Sequence, residues 1–406
     1  MRRRTWVALA LGATAALALA VVGVTSAAHS GRDGAAKGKP ILIGAAVDLT
    51  KNMAPFDAPA LAAAQIEIKK INAKGGVLGR PLQIIPINDQ LDPTKTQQAA
   101  AQLVGKHVAI GWVTCDVDFS TPSIDEFLKA KILTVAPCIG TDEMGPSRFG
   151  APGKLAFSFG NAAQDEGAGV AEYAISRGWK NATVVTDNLL RYFQDVCKAF
   201  SVRFTQLGGK VLAQESFKQG DKTIGNIVSR VNSQNPKPQV IAFCTSFAAD
   251  QPAFVSGLRS LGNQTPIIDG WASDGNYWWT SSPKVTNFYF LTYASALARD
   301  PQAPVRAFEA KLNAAGHPAQ TGGFITGADA IDAIAFAIKK AHGSTNGATL
   351  ANILAHLHKF QTLGGPISFS PGLHSVTGRP YRVVLVNDNT AKVVALHTTK
   401  VVAKIH

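Results

Sequence analysis

From Pro40 onward, short runs rich in Ile, Val, Leu and Phe alternate with longer runs whose apolar residues recur every three or four positions. Ile41–Val47 reads as a strand. In the segment after it, Leu61, Ala64, Ile68 and Ile71 share one helical face. Asp57 is placed to cap that helix with Pro59 in its first turn, and Gly75-Gly76 ends it, because glycine tolerates the left-handed backbone of a helix terminus. Strand Leu82–Ile87, helix Thr94–Val104, strand His107–Val113, helix Pro122–Ala130 and strand Ile132–Ala136 follow. A second series opens near Phe157: strand Ala182–Thr186, helix Leu190–Leu207, strand Lys210–Glu215, helix Thr223–Ser233 and strand Gln239–Phe243. After strand Phe288–Tyr293 the pattern turns helical over Ala303–Ala315, Gly327–Ala341 and Leu350–Leu357. It closes on strands Ile367–Phe369, Tyr381–Val386 and Lys392–Leu396, the last two joined by a turn at Asn387-Asp388-Asn389-Thr390. Strands alternating with helices predict parallel βαβ units and an α/β fold.

The two series echo each other. An Asp/Thr pair (Asp92 and Thr94) opens a helix and is followed by a strand ending at Thr114-Cys115. Asp221 and Thr223 open another, followed by a strand ending at Cys244-Thr245, with the Asp, Thr and Cys of the pattern each offset by 129 residues. Common Asp/Thr capping could produce such a match by itself. The alternative is a pair of similarly built lobes.

Ahead of this region, residues 2–28 place Arg2, Arg3 and Arg4 before an apolar run from Trp6 to Val24, with Thr25, Ser26, Ala27 and Ala28 after it. That order predicts a secretory signal over 1–28, cleaved after Ala27 or Ala28, with an uncleaved membrane anchor as the rival reading. Residues 29–39 read as a polar linker. The chain is therefore expected to act outside the cytoplasm, in the periplasm or on the outer face of the membrane. Its 406 residues carry 40 basic and 27 acidic side chains, yet no Lys/Arg block has interleaved aromatics. The basic excess reads as scattered solvating charge, and no nucleic-acid partner is expected. Four cysteines are too few for a disulfide scaffold, although an exported chain pairs its thiols. They allow three connectivities. Nucleophile-elbow, zinc-helix, phosphate-loop and dinucleotide motifs are missing from the sequence, and His356 and His358 fall on different faces of their helix. No catalysis, cofactor or metal is expected.

The run Ile71-Asn72-Ala73-Lys74-Gly75-Gly76-Val77-Leu78-Gly79-Arg80, with Asp89 and Asp92-Pro93 beyond it, resembles the type I periplasmic solute-binding proteins, in the leucine/isoleucine/valine-binding branch that serves ABC importers. Gly111, Ile132–Pro137 and Thr326–Ala341 match in the same order, so the resemblance spans roughly Pro40 to Val394. It implies two Rossmann-like lobes with parallel sheets joined by a three-strand hinge, each lobe built from discontinuous chain: 38–159 with 296–372, and 160–295 with 373–406. It also implies a monomer that captures a small polar molecule, an amino acid or a related compound, and delivers it to an ABC permease in the cytoplasmic membrane. A ligand-sensing receptor of the same fold, feeding a membrane kinase or chemoreceptor, is the alternative.

The same resemblance places the ligand at the carboxyl ends of the strands. In the first lobe these positions are Thr114, Cys115 and Asp116, then Cys138, Ile139, Gly140 and Thr141, with Phe56 as the aromatic against the ligand. The family receives a ligand carboxylate on the Ser/Thr of the first loop. Asp116 and Asp118 depart from that pattern and would repel an anion or pair with a cation, while Asp118 or Ser120 could instead cap the next helix. In the second lobe the candidates are Tyr192, Phe193, Thr245, Phe247, Trp271 and Asp274. Where amino-acid binders present a glutamate to the ligand ammonium, this chain has Trp271, with Asp274 or Asp250 as possible substitutes. A bridge between lobes would oppose hinge motion, so the lobe assignment implies Cys115–Cys138 and Cys197–Cys244. Leu91 stands where the family often has a cysteine.

Overall fold

The computed structural model describes residues 38–246 and 250–406. The expected signal over 1–28, residues 29–37 of the linker, and Phe247 lie outside the described residues. Among those described, Ile41–Val47 (β1), Ala54–Ala73 (α1), Leu82–Asn88 (β2), Pro93–Gly105 (α2), Ile110–Val113 (β3), Val117–Lys129 (α3), Leu133–Ala136 (β4), a single turn at Pro146–Phe149 (α4) and Ala156–Asn161 (β5) succeed one another. Their strands pair in parallel in the order β2-β1-β3-β4-β5. The chain then repeats the plan. Ala163–Ser176 (α5), Asn181–Asp187 (β6), Arg191–Gln206 (α6), Lys210–Phe217 (β7), Ile224–Ser233 (α7), Val240–Cys244 (β8), Asp250–Ser260 (α8), Ile267–Asp269 (β9) and Phe288–Thr292 (β10) give a second parallel set in the order β7-β6-β8-β9-β10. The 129-residue echo in the sequence is thus the echo of two lobes with one strand order.

The chain returns to the first lobe through Ala303–Ala314 (α9), Phe324–Lys340 (α10) and Gly347–Ala355 (α11). Phe360–Thr362 (β11), Gly365–Ser370 (β12) and Leu373–Thr377 (β13) then extend the first sheet beyond β5. Finally Tyr381–Asn387 (β14) and Thr390–His397 (β15) form a hairpin on β10. Asp388 and Asn389 both take left-handed φ at its turn, which suits the twist of two-residue hairpins. Because β13 pairs with β5, the third passage between lobes falls at Gly378–Pro380, not after residue 372 as the expected boundary had it.

Each sheet is covered on both faces, which is why its strands read as nearly continuous apolar runs. On the first sheet, α1, α10 and α11 bury Leu61, Ile68, Ile331, Ile334 and Leu354 on one side, and α2 and α3 bury Leu103, Ile124 and Phe127 on the other. On the second, Phe193, Val196 and Phe200 of α6 fill one face, and Ile227, Val231, Phe254 and Leu258 the other.

Two helix starts differ from expectation. Helix α1 begins at Ala54, so Asp57 lies within it and is wholly buried instead of capping it. Helix α3 begins five residues before Pro122, because Asp116 accepts the N–H groups of Asp118 (2.9 Å) and Phe119 (3.0 Å). The cap is therefore Asp116, and neither Asp118 nor Ser120.

Two buried arginines tie the three passages together. Arg379 donates to Phe159 O and Asn161 Oδ1 of the first passage (both 2.8 Å) and to Asp329 of α10 (3.0 Å). Arg382 donates to Tyr293 O (2.7 Å) and Asp300 (2.8 Å) in the second. After β15 the tail lies along α5: Ala403 N–H bonds Gln164 O, Ala403 and Ile405 are buried, and His406 Nε2 comes within 3.4 Å of Asp142 in the opposite lobe.

Candidate functional site

The carboxyl ends of β3 and β4 in one lobe face those of β6, β8 and β9 in the other, the crevice where open α/β sheets bind ligands. Met53, Phe56, Cys115, Asp116, Cys138 and Gly140 from the first lobe, and Leu190, Tyr192, Phe193, Ser246, Trp271 and Ala272 from the second, line a narrow pocket between them. The lobes touch across this pocket. Phe56 meets Trp271 edge to face at 5.0 Å, and Trp271 stacks on Tyr293 at 4.9 Å. The Tyr192 ring lies against Gly140, where an added Cβ would fall 2.4 Å from Cε2; only glycine allows that approach. At the rim, Arg191 N–H donates to Asp118 Oδ2 (2.9 Å), the Thr141 hydroxyl donates to Asp195 Oδ2 (2.7 Å), and Arg191 Nε pairs with Glu143 (3.1 Å).

Both expected disulfides are present, each inside one lobe. Cys115–Cys138 joins the ends of β3 and β4, with Cα atoms 4.7 Å apart, and its two residues form part of the pocket wall. Cys197 of α6 joins Cys244 at the end of β8, at 5.8 Å.

The structure brings Phe56, Cys115, Asp116, Cys138, Gly140, Tyr192, Phe193 and Trp271 together on the pocket wall. Other expected site residues lie behind it. Ile139 is in the core under α3, and Thr141 is committed to Asp195. Thr245 donates to Asp187 (2.9 Å), and Thr114 donates to Asp57. Asp274 is spent in the chain's own turns: Oδ1 accepts Gly275 N–H, and Oδ2 accepts the Thr292 hydroxyl and Gly322 N–H. Asp250 Oδ2 accepts Gly220 N–H (2.8 Å). Met53, Leu190, Ser246 and Ala272 complete the wall. Nothing in their local pattern marked them, since each reaches the pocket only through tertiary placement.

The polar groups around the pocket follow one pattern. Asp57 Oδ1 accepts Cys115 N–H (2.8 Å), and its Oδ2 accepts Asp48 N–H (3.0 Å) and the Thr114 hydroxyl. Glu166 Oε1 accepts the Tyr192 hydroxyl (2.7 Å) and Trp271 N–H (2.6 Å), while Oε2 is buried without a partner. Asp269 accepts Gly270 N–H (2.6 Å) and the Ser273 hydroxyl (2.5 Å). Burial opposes ionisation of all these acids. It holds Asp57 well above the usual carboxylate range, and pushes Asp116 up to about 7 and Glu166 and Asp269 up to about 8. An acid whose folded pKa lies above its unfolded value stabilises the fold below the unfolded pKa, and that contribution is lost as pH rises through the folded value. The thermal midpoint of the ligand-free protein is therefore expected to fall between pH 5.5 and 8.5, roughly the window spanning these raised values. A midpoint that stays level across that interval would show the acids to be ionised throughout.

Residues 40–391 match the family model described as periplasmic binding protein. Among curated proteins, the chain is 22% identical over 333 residues to the Leu/Ile/Val-binding protein BraC3 of Rhizobium johnstonii, covering 81% of this chain and 87% of the relative. It is 22% identical over 174 residues to the Leu/Ile/Val-binding protein of Escherichia coli K12, 42% of this chain and 46% of that one. Among solved structures, the branched-chain amino acid transporter substrate-binding protein LivJ of Streptococcus pneumoniae, in complex with isoleucine, superposes with a TM-score of 0.74 at 20% identity, covering 88% of this chain and 99% of that one. A solute-binding protein of an ABC transporter from Rhodopseudomonas palustris, in complex with 4-hydroxybenzoate, superposes at 0.75 and 14% identity, covering 89% and 98%. The likeness to these structures is one of fold. With the family model running through both lobes, the chain belongs to the periplasmic binding proteins, type I and similar to the leucine/isoleucine/valine binders, which are substrate-binding proteins and not enzymes.

Proposed function

We propose that this protein works outside the cytoplasm as the solute receptor of an ABC importer, capturing one small molecule between its lobes and handing it to a membrane permease. The observation that carries this reading is the pocket itself: its walls come about equally from two lobes that are joined only through three passages of chain. A protein so built encloses its ligand by hinge closure. The walls are mostly rings, aliphatic side chains and a disulfide, so the solute has a largely apolar body. Isoleucine and 4-hydroxybenzoate, bound by the two structural neighbours, both have one.

The test is a solution-scattering and thermal-shift screen of small amino acids, amines, amides and aromatic acids. A ligand at 100 times its Kd stabilises the folded state by about 2.7 kcal/mol and is expected to contract the scattering profile. Gly140→Ala would drive a methyl group into the Tyr192 ring in the lobe arrangement described. It is expected to weaken binding by about tenfold or more, read by calorimetry on a variant whose melt shows it folded. Turnover of a bound compound, or a profile that no solute alters, would refute the receptor reading.

A further inference from the structure

The pocket is short of hydrogen-bond donors and rich in acceptors, and the reason is consistent around its perimeter. At several places along the cleft, a carboxylate of the chain already holds the backbone N–H groups. Asp57 holds Cys115 N–H and the Thr114 hydroxyl, the donors expected from sequence to receive a ligand carboxylate. Asp116 holds the N-terminus of α3, and Asp118 reaches across the cleft to Arg191 N–H at the start of α6. Helix starts are otherwise ready anion sites. Glu166 holds Trp271 N–H. Of the two hydroxyls in the wall, that of Tyr192 donates to Glu166 and that of Ser246 to Ala272 O. Among the described residues, no lysine or arginine lines the pocket. What it presents instead is the Asp116 carboxyl and the rings of Phe56, Tyr192 and Trp271; Glu166 is not in the wall but holds Tyr192 and Trp271 through Oε1, and its buried Oε2 has no partner.

Resting on the receptor reading above, we infer that the solute is a small organic ammonium with an apolar body and no carboxylate. The aromatic walls suit such a cation twice over: their edges and faces bury its hydrocarbon, and their negative faces attract its charge. A carboxylate in the same place would sit beside the Asp116 carboxyl with no lysine or arginine among the described wall residues to pair with it, and burying an unpaired anion is costly. The family-like position for a ligand carboxylate is filled from within.

Matched sets of one skeleton decide it: 3-methylbutylamine, 3-methylbutanamide and 3-methylbutanoate, and phenylethylamine with phenylacetate, titrated calorimetrically with lobe closure followed by scattering. The amine of each set is expected to bind about tenfold or more tighter than its carboxylate or amide. Glu166→Gln, shown to be folded by its melt, is expected to remove most of that preference. Carboxylates or amides that close the lobes as well as the amines do, or a Glu166→Gln variant with undiminished amine preference, would overturn the cation assignment and leave solute capture standing. Lobes that stay unaltered with every compound of this series and of the wider screen would overturn both.

Discussion

Replacing Asp329 by alanine is expected to lower the stability of the fold by about 3–5 kcal/mol, the cost of leaving a buried charge without its partner. The charge is Arg379, whose guanidinium, like the Asp329 carboxylate, has no solvent exposure. Phe159 O and Asn161 Oδ1 still accept from it, but they are neutral and cannot offset its charge. The urea midpoint is expected to fall with an unchanged slope, because slope follows the surface exposed on unfolding and that is unaltered. Replacing both partners by leucine and methionine is expected to recover much of the loss, since an apolar pair of similar volume needs no desolvation. A single variant within about 1 kcal/mol of the parent would mean that water reaches Arg379 and that the site is not sealed. The position makes the test informative. Arg379 lies in the third passage, binds the end of the first, and sits over the Tyr293 ring at 5.3 Å in the second.

The second large effect is expected from the bridge in the second lobe. Cys197 and Cys244 are 47 residues apart. In the chain-entropy account, closing a loop of that length stabilises the fold by about 4 kcal/mol. The double serine variant is expected to lose about that much while keeping its pocket, because neither residue lines it. The Cys115–Cys138 bridge closes only 23 residues and is expected to contribute somewhat less, about 3 kcal/mol. Its loss should reach the ligand too, because both of its residues line the pocket. Denaturant melts of the two double variants, with and without a bound solute, separate the contributions. If the first pair of substitutions changed affinity and the second did not, the assignment of each bridge to wall or scaffold would be reversed.

The sequence made the local features visible. The alternation of strand and helix, the Asp92 cap on Lys95 N–H, the glycine stop at Gly75-Gly76 and the turn at Asp388-Asn389 all depend on neighbours a few residues apart, and all stand in the structure. What depended on distance was hidden. Asp57 sits beside prolines at a helix start, where an aspartate ordinarily caps. Its actual partners, Thr114 and Cys115, lie 57 and 58 residues along the chain. Glu166, in the first turn of α5, carried no local signal of a site role, yet it holds Trp271 N–H from 105 residues away. The strands β9 and β13 are short, and β13 carries His374, Ser375 and Thr377, so neither shows an apolar run; their pairing comes from the sheets they complete. Proline misled at α3, where Pro122 was read as the first turn although Asp116 had already fixed the start.

The tail that crosses the rim has a practical use. All four cysteines of the chain are paired, so His406→Cys would supply its single reactive thiol, beside Asp142 of the facing lobe. A polarity-sensitive dye attached there would sit at the mouth and brighten or dim as the halves part. The protein would thereby become an optical reporter of its own occupancy, usable on compounds too weak or too scarce for calorimetry.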